Sequence, residues 1–411
     1  MREEREVAIT GLGAVTSLGR DVDSLWEALT AGRSGIGPIS AFDAATYPSR
    51  IAGEVRDYIP PANLPEQQAA RLDRGALFAA DAALQALADA ALPLARDNAV
   101  QVGLVLGSAR PGETTVWEGQ RAFHQKGAEA LSAGYIGRTL PSAPATEVAA
   151  ALGVRGPTLA VSAGGASGSA ALALAAGMVR RGEVEVAFAG GADAPITPPA
   201  LAAFGAMNVL SKENDEPARA SRPFDAEAGG FVLAEGAAML VLEHEALARE
   251  RGARIYARLV GAGSVTEPGA FVPSHLEAGR AIVLALREPA LLQSEIDYFC
   301  AYAPGTLELD RMETDAIKRI FGELTASKLT LSAPKSMLGH MLGGSGGVDA
   351  IVCVKAIQTG VIPPTINLEH PAEGCDLDYT ANEALQQAVR HAMCYAFGFG
   401  GHHVALCFSA P

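Results

Sequence analysis

Leu159-Ala-Val-Ser-Ala-Gly-Gly-Ala-Ser-Gly-Ser-Ala170 is the stretch on which the fold of this chain turns. Its apolar start reads as a buried strand, its run of small residues as a tight turn, and Ala166 to Arg181 as a helix. A sharp strand-to-helix turn exposes one side chain at a helix N-terminus, where backbone N–H groups and the helix dipole favour negative charge. That is the setting for an activated nucleophile. The residue at the turn is Gly165, which has no side chain to activate. The scaffold for covalent catalysis is present and its reactive atom is missing.

A chain of 411 residues buries a large core and predicts two domains or two tightly fused halves. Aromatic residues make up only 6%, whereas alanine and glycine abound, which suits close packing of helices on sheets. The net charge of −14 is spread along the chain, and no basic face gathers for nucleic acid. Ala166 to Val179 is too short to span a membrane and stops at Arg180-Arg181. Ala76 to Ala95 carries Asp81, Gln85 and Asp89 as a polar stripe, so both stretches read as helices of a globular protein, with no membrane role. Met1-Arg-Glu-Glu-Arg-Glu lacks the charged-then-apolar order of an export signal, which points to the cytoplasm. Cys300, Cys353, Cys375, Cys394 and Cys407 are odd in number and without metal-type spacing, the pattern of buried free thiols. His402-His403, adjacent in a strand, face opposite ways and cannot chelate one ion together. Neither a metal nor a cofactor is expected.

Short apolar runs alternate with helical ones along the chain. Val7-Ala-Ile-Thr, Val102-Gly-Leu-Val-Leu, Thr158-Leu-Ala-Val, Val184-Glu-Val-Ala-Phe-Ala and Ala238-Met-Leu-Val-Leu predict buried strands, an α/β pattern with helices covering both faces of the sheets. Gly11-Leu-Gly-Ala-Val-Thr-Ser-Leu-Gly19 recurs as Gly261-Ala-Gly-Ser-Val-Thr-Glu-Pro-Gly269. A coarser echo joins Val161-Ser-Ala to Leu331-Ser-Ala and the glycine-rich Gly343-Gly-Ser-Gly-Gly. These repeats predict two similar halves, residues 1–250 with the degenerate turn at 161–168 and residues 251–411. The Gly-x-Gly near the N-terminus opens no helix with a third glycine, so the repeat explains it better than a dinucleotide site does.

The turn resembles the Val-Ser-Thr-Ala-Cys-Ala-Ser-Gly of β-ketoacyl-carrier-protein synthases, with the cysteine falling on Gly165. Other motifs follow in that family's order: Ser34-Gly-Ile-Gly37, Tyr47-Pro-Ser-Arg-Ile-Ala-Gly53, Ser221-Arg-Pro-Phe-Asp225, Gly230-Phe-Val and Glu235-Gly-Ala. Lys335-Ser-Met-Leu-Gly-His340 resembles the family's Lys-Ser…Gly-His motif, and Phe397-Gly-Phe-Gly-Gly401 its gating loop, with Phe397, Phe399 and Gly400 as the gating residues. The resemblance implies a thiolase-like five-layer αβαβα sandwich built from two similar halves, and a dimer. Where active members read His-Gly-Thr-Gly-Thr, this chain reads Tyr302-Ala-Pro-Gly-Thr306, followed by Asp310 and Glu313 at the family spacing. The continuation Leu307-Glu-Leu-Asp-Arg-Met-Glu313 looks more like the chain-length factors of type II polyketide synthases, the silent partners of active ketosynthases. Chain-length factors of the aromatic branch usually carry Gln at the position of Gly165, so the subclass stays open, with a lean towards reduced, polyene-type products.

In the family reaction an acyl group moves to cysteine and condenses with a malonyl carrier protein as CO₂ leaves. Glycine forms no acyl-enzyme. Tyr302 replaces the first of two histidines that stabilise the charge of decarboxylation, and a phenol with pKa about 10 is a weak substitute. No intact catalytic set is therefore expected: the degenerate pocket is Gly165, Tyr302, Lys335 and His340. The reading that follows is a chain-length-factor subunit, paired with an active ketosynthase in an acyltransferase complex, that forms part of the elongation tunnel. By resemblance Pro111 to Lys126 supplies lining, with Thr114, Trp117 and Gln120 as tunnel or interface residues. The acyl carrier protein, acidic like this chain, is expected to dock mainly on the ketosynthase. Two alternatives stand beside this: a malonyl-carrier-protein decarboxylase with a cavity enlarged at Gly165, and a homodimeric acyl or lipid-binding protein.

Overall fold

Strand order exposes the repeat. The computed structural model describes residues 5–411. Val7–Thr16 (β1), Val102–Gly107 (β2), Thr158–Val161 (β3), Val186–Asp193 (β4) and Gly236–His244 (β5) lie in the first half of the chain. Ala257–Thr266 (β6), Tyr298–Cys300 (β7), Thr330–Ser332 (β8), His391–Gly398 (β9) and His402–Ser409 (β10) lie in the second. The mixed ten-stranded sheet runs β8-β7-β9-β10-β6-β1-β5-β4-β2-β3. Outward from the centre, each half has the same order and sense: its first strand antiparallel to its fifth, the fifth antiparallel to its fourth, and the fourth, second and third parallel.

Within the sheet, the two halves are joined where Ala8 and Ile9 of β1 pair with Arg258 and Ala257 of β6. Beyond that point the sheets part and their central edges lose backbone partners. Side chains take over: Leu12 N–H donates to Asp89, Ala14 N–H to Gln85, and Ala262 N–H to Glu288. The polar stripe on the helix after residue 74 is thus partly a cap for the β1 edge, because a buried N–H without an acceptor is costly.

Helices complete five layers. Arg74–Asp89 (α1), Glu113–Lys126 (α2), Ala143–Leu152 (α3), Ser167–Arg180 (α4), His275–Arg287 (α5), Leu307–Phe321 (α6) and Ser345–Thr359 (α7) matter most here. α4 and α7 form the middle layer, touching each other and strands of both halves. α1 and α3 cover the outer face of the first half around Phe78, Leu104, Phe188 and Val241, and α5 and α6 that of the second around Ile282, Phe299, Ile317 and Tyr395. The central core is rich in alanine and valine, which lets two sheets close on two helices. All five cysteines are free and buried. Among the described residues no helix is long and apolar enough to cross a membrane.

β3 departs from the sequence expectation of a buried strand. It is the outermost strand of the first half, and Leu159 on it is 41% exposed. Its apolar residues have an unpaired edge beside them rather than another strand.

Close packing at the repeat is tightest at Gly13 and Gly263, where an added Cβ would stand 1.9 Å from the Ala82 carbonyl oxygen of α1 and 2.0 Å from the Ala281 carbonyl oxygen of α5. Gly13→Ala and Gly263→Ala are each expected to destabilise the fold by about 1–3 kcal/mol or more, since backbone must move. Urea denaturation of the two variants checks this, and similar losses are expected because the positions are equivalent.

Candidate functional site

The degenerate nucleophile turn is well built. After β3, Ser167 accepts from the Ala163 N–H at 2.9 Å and donates to the Gly164 carbonyl at 2.6 Å, which closes the turn into α4. At Gly165 a Cβ would lie 2.6 Å from the Phe397 carbonyl oxygen and 3.2 Å from both Cε1 and Nε2 of His340. The space of a lost side chain is therefore taken up by the end of β9 and an imidazole. The cavity is not enlarged there, contrary to the expectation attached to a decarboxylase.

His340 is fixed from behind. Its backbone bonds both ways to the Gly230-Phe-Val segment, His340 N–H to the Val232 carbonyl at 2.7 Å and Ala234 N–H to the His340 carbonyl at 3.0 Å. The Leu342 backbone N–H lies 3.1 Å from Nδ1, and Ser345 Oγ lies 3.1 Å from the same atom. A backbone N–H only donates, so Nδ1 accepts and the ring proton sits on Nε2. Nε2 is 3.1 Å from the Tyr302 hydroxyl, so His340 donates to Tyr302. Burial first, then the nearby Lys335 charge, pulls the pKa of His340 down to about 3, and the imidazole is neutral.

Tyr302 is 4% exposed and its hydroxyl has His340 as its only partner among the described residues. Burial and the Glu313 carboxylate hold it well above the usual phenol range, so it stays protonated. Lys335 Nζ sits 5.3 Å over the Tyr302 ring and 2.9 Å from Asp349 of α7. Burial alone favours the uncharged amine; the acidic groups around it, Asp349 first and then Cys300 and Glu313, together more than offset this and raise its pKa. Lys335 is thereby occupied.

The carboxylates of α6 shape the Tyr302 loop. Glu313 accepts from the Tyr302 and Ala303 N–H groups at 2.8 Å each, and Asp310 from Phe224 N–H at 2.9 Å and Gly305 N–H at 3.3 Å. Burial pushes their pKa values up to about 8 and about 7. The Ser221-Arg-Pro-Phe-Asp225 motif is a set of braces: Ser221 donates to the Lys335 carbonyl at 2.7 Å, and Asp225 accepts from Glu369 and His370 N–H at 2.8 Å each. Asp193, at the end of β4, was not singled out in the sequence. It accepts from Ser108 Oγ and from the N–H groups of Ala109, Arg110 and Gly343 at 2.6–2.9 Å. Asp349 and Ser345 were missed too, although an aspartate in the apolar helix after a lysine motif is a usable signal.

Gly165, Tyr302, His340, Phe397 and Phe399 line one cavity of about 360 Å³, with Phe204, Phe231, Leu309 and Leu342 among its apolar walls. Lys335 stands behind Tyr302 rather than on the wall. Phe399 meets Phe271 at the rim with ring centroids 5.7 Å apart, and Gly400 follows in the left-handed region at φ 95°. Thr114 and Trp117, on α2, line a different cavity of about 650 Å³ with Arg74 and Glu235, and Gln120 is exposed on the same helix. His403 is buried against the Tyr395 hydroxyl at 2.8 Å, while His402 is part-exposed.

Two middle-layer helices that begin at one apolar cavity, with Tyr302, Lys335 and His340 gathered at a bare turn, define a ketosynthase-type protein without a nucleophile at that turn. Residues 4–248 match the beta-ketoacyl synthase N-terminal domain and residues 256–369 the beta-ketoacyl synthase C-terminal domain. The chain belongs to the beta-ketoacyl synthase family. It is 39% identical to the 3-oxoacyl-[acyl-carrier-protein] synthase 2 of Synechocystis sp., over 99% of this chain and 98% of that one. The ishigamide ketosynthase/chain length factor superposes with a TM-score of 0.91 at 30% identity, covering 100% of both chains. A type II PKS acyl-carrier protein in complex with its ketosynthase bound to the hexaketide gives 0.91 at 28%, again covering 100% of both.

Gly165→Cys is expected to lower stability by about 1–3 kcal/mol, because the Phe397 carbonyl must withdraw, and to leave condensation absent. Denaturation and a carrier-protein condensation assay check both parts. The pH dependence has a defined sign. The unfolded histidine takes up a proton near pH 6.5, the folded His340 only near 3, so between these values the unfolded state binds the extra proton. Stability of the native chain relative to His340→Gln is therefore expected to fall as pH drops from about 6.5 towards 3. Paired urea titrations at several pH values measure it.

Proposed function

We propose that this chain is a non-catalytic chain-length-factor subunit, joined to an active ketosynthase in type II polyketide biosynthesis in the cytoplasm, with residues 1–250 and 251–411 as its two thiolase-like halves. The observation that carries the reading is the filled space at Gly165. A nucleophile lost by chance from a working site leaves a void; here a backbone carbonyl and the His340 ring close over the position. The fold around it, including the braces on Lys335 and the Tyr302 loop, is otherwise kept. The likeness to the ishigamide ketosynthase/chain length factor supports the same reading.

The surface fits an obligate partner. The β3 edge carries exposed Leu159, and the excursion between β2 and β3 exposes Phe123, Ile136 and Leu140 at 47–66% of their reference areas. Exposed apolar groups and an open strand edge each call for cover. The partner in this reading is a second ketosynthase-family subunit that carries the missing cysteine and histidine. The cavity beside Thr114 and Trp117 on the same excursion would then form part of the shared tunnel. The acyl carrier protein docks mainly on that active partner. A decarboxylase finds less support, because the Nε2–H of His340 is already spent on Tyr302 and one donor remains where two histidines serve by family resemblance.

Co-expression with a type II ketosynthase that carries the catalytic cysteine is expected to give a one-to-one complex that condenses acyl and malonyl carrier proteins, and that falls silent when the partner's cysteine is replaced. Leu159→Arg is expected to weaken the complex at least about tenfold, the cost of a buried interface anchor. A soluble homodimer indifferent to the ketosynthase, with bound lipid, would replace this reading by acyl binding.

A further inference from the structure

Where β1 and β6 part, each half of the chain has a gap to close, and the two are closed differently. Ala262 of β6 is the repeat counterpart of Leu12 of β1, and Glu288 caps its N–H as Asp89 caps that of Leu12. The middle-layer helices correspond too: Ser167 opens α4 and accepts from the N–H of Ala163, and Ser345 opens α7 and accepts from that of Met341. The same step along each helix leads to Arg180 on α4 and to Gln358 on α7. Arg180 fills the gap of the second half, with Nη1 on Glu288 at 2.5 Å and Nη2 on the Leu259 carbonyl at 2.6 Å. Gln358 is exposed, and the matching gap of the first half is a cavity of about 350 Å³.

Lys355, a turn before Gln358 on α7, lines this cavity. Its side chain is only 12% exposed, yet its ammonium has no hydrogen bond among the described residues. The anion beside it is Asp23 at 3.7 Å, itself 97% exposed and screened by water. An ammonium taken that far out of water calls for acceptors. Arg254 lines the same cavity and spends one N–H, on the Tyr256 hydroxyl at 3.0 Å. The carboxylates divide into used and unused. Asp89 is used up by the Leu12 N–H and the Tyr256 hydroxyl. Asp21 gives one oxygen to the Ser24 N–H at 2.7 Å and keeps the other, and Asp23 has no hydrogen bond among the described residues. The cavity thus holds two cations with open donors and two carboxylates with open oxygens.

We propose that this cavity binds a small zwitterion of the α-amino acid class, with its carboxylate on Lys355 and Arg254 and its ammonium on Asp21 and Asp23. A simple anion entering the cavity meets the carboxylates, and a simple cation meets the ammonium and the guanidinium. A molecule that carries both charges answers both sets. Leu12 and Val22 supply little apolar wall, which suits a short side chain. The bound zwitterion does for the first half what Arg180 does for the second: it ties a middle-layer helix to the strand edge where the sheets part. The site stands apart from the cavity at Gly165, shares no lining residue with it, and does not depend on the partner.

The test is calorimetric titration of the purified full chain, at constant ionic strength, with L-alanine, propionate and ethylamine. Propionate is alanine without its ammonium, and ethylamine is alanine without its carboxylate. L-Alanine is expected to bind saturably at one site per chain, about tenfold or more tighter than either one-charge analogue, the worth of one charge-assisted hydrogen bond. Lys355→Met keeps the apolar stem and is expected to weaken alanine about tenfold while leaving ethylamine unchanged. Asp23→Asn is expected to weaken alanine and ethylamine and to leave propionate unchanged. Gln358→Arg places on α7 the side chain that α4 carries at Arg180; it is expected to fill the gap, abolish alanine binding and raise the urea midpoint. Gln358 is exposed, so this variant keeps its fold and the test does not hang on the stability of Lys355→Met. Propionate or ethylamine binding as tightly as alanine, no saturable binding of alanine by the native chain, or undiminished alanine binding by Gln358→Arg each overturns the proposal.

Discussion

Asp193 is the group on which the arrangement of the site depends. Its carboxylate stands at the end of β4 and receives four hydrogen bonds, three from the loop after β2 and one from Gly343 in the turn before α7. Those two segments come from opposite halves of the chain. A single buried acceptor therefore sets the distance between the first half and the start of the second middle-layer helix. Burial raises its pKa to about 6, but the N–H groups around it are fixed donors that only an anion or an acceptor oxygen can satisfy. Everything at the cavity hangs from this join: Leu342 is the neighbour of Gly343, its N–H fixes the tautomer of His340, and that tautomer decides which way the Tyr302 proton faces.

This chain of dependence explains how the family scaffold keeps its shape where the residues of the family site are replaced. By family resemblance, the nucleophile and the imidazole at position 302 are elements of covalent catalysis and charge stabilisation, and Lys335 belongs to the same pocket. Here the first is glycine, the second is a phenol held protonated, and the lysine is paired within the core. What remains is structural in each case. Glu313 and Asp310 hold the Tyr302 loop through backbone N–H groups, so replacing histidine by tyrosine leaves the loop in place. A ring of similar planarity and greater length then reaches His340 directly.

Much of this was legible in the sequence. The repeated Gly-x-Gly segments announced two similar halves, and their glycines sit against equivalent helix carbonyls in β1 and β6. The small-residue turn placed Gly165, and the ordered motifs brought Tyr302, His340, Phe397 and Phe399 to one cavity. What escaped was set by long-range pairing. Asp193 follows an unremarked strand, and its partners lie about 85 and 150 residues away. Asp89 and Gln85 looked like a solvated stripe because the parting of the two sheets, which frees the N–H groups they cap, has no local signature. Trp117 and Thr114 were placed on the right kind of helix, yet they line a separate cavity, since α2 leaves the β2 end on the side of Arg74 and Glu235.

The neutrality of His340 ties these strands of reasoning together. Two influences act on it in the same sense: burial first, then the charge of Lys335. A protonated imidazole would donate from both nitrogens, so protonation would cost the bond from the Leu342 N–H. Neutral, it spends its one proton on Tyr302. The site has thus exchanged a pair of groups able to follow charge as it develops for a fixed, uncharged donor facing an apolar space. Such a donor stabilises a ground-state carbonyl as well as any transition state, and binding of that uniform kind accelerates nothing. On the proposed non-catalytic reading, the same few residues keep the shape of the site and not its reaction.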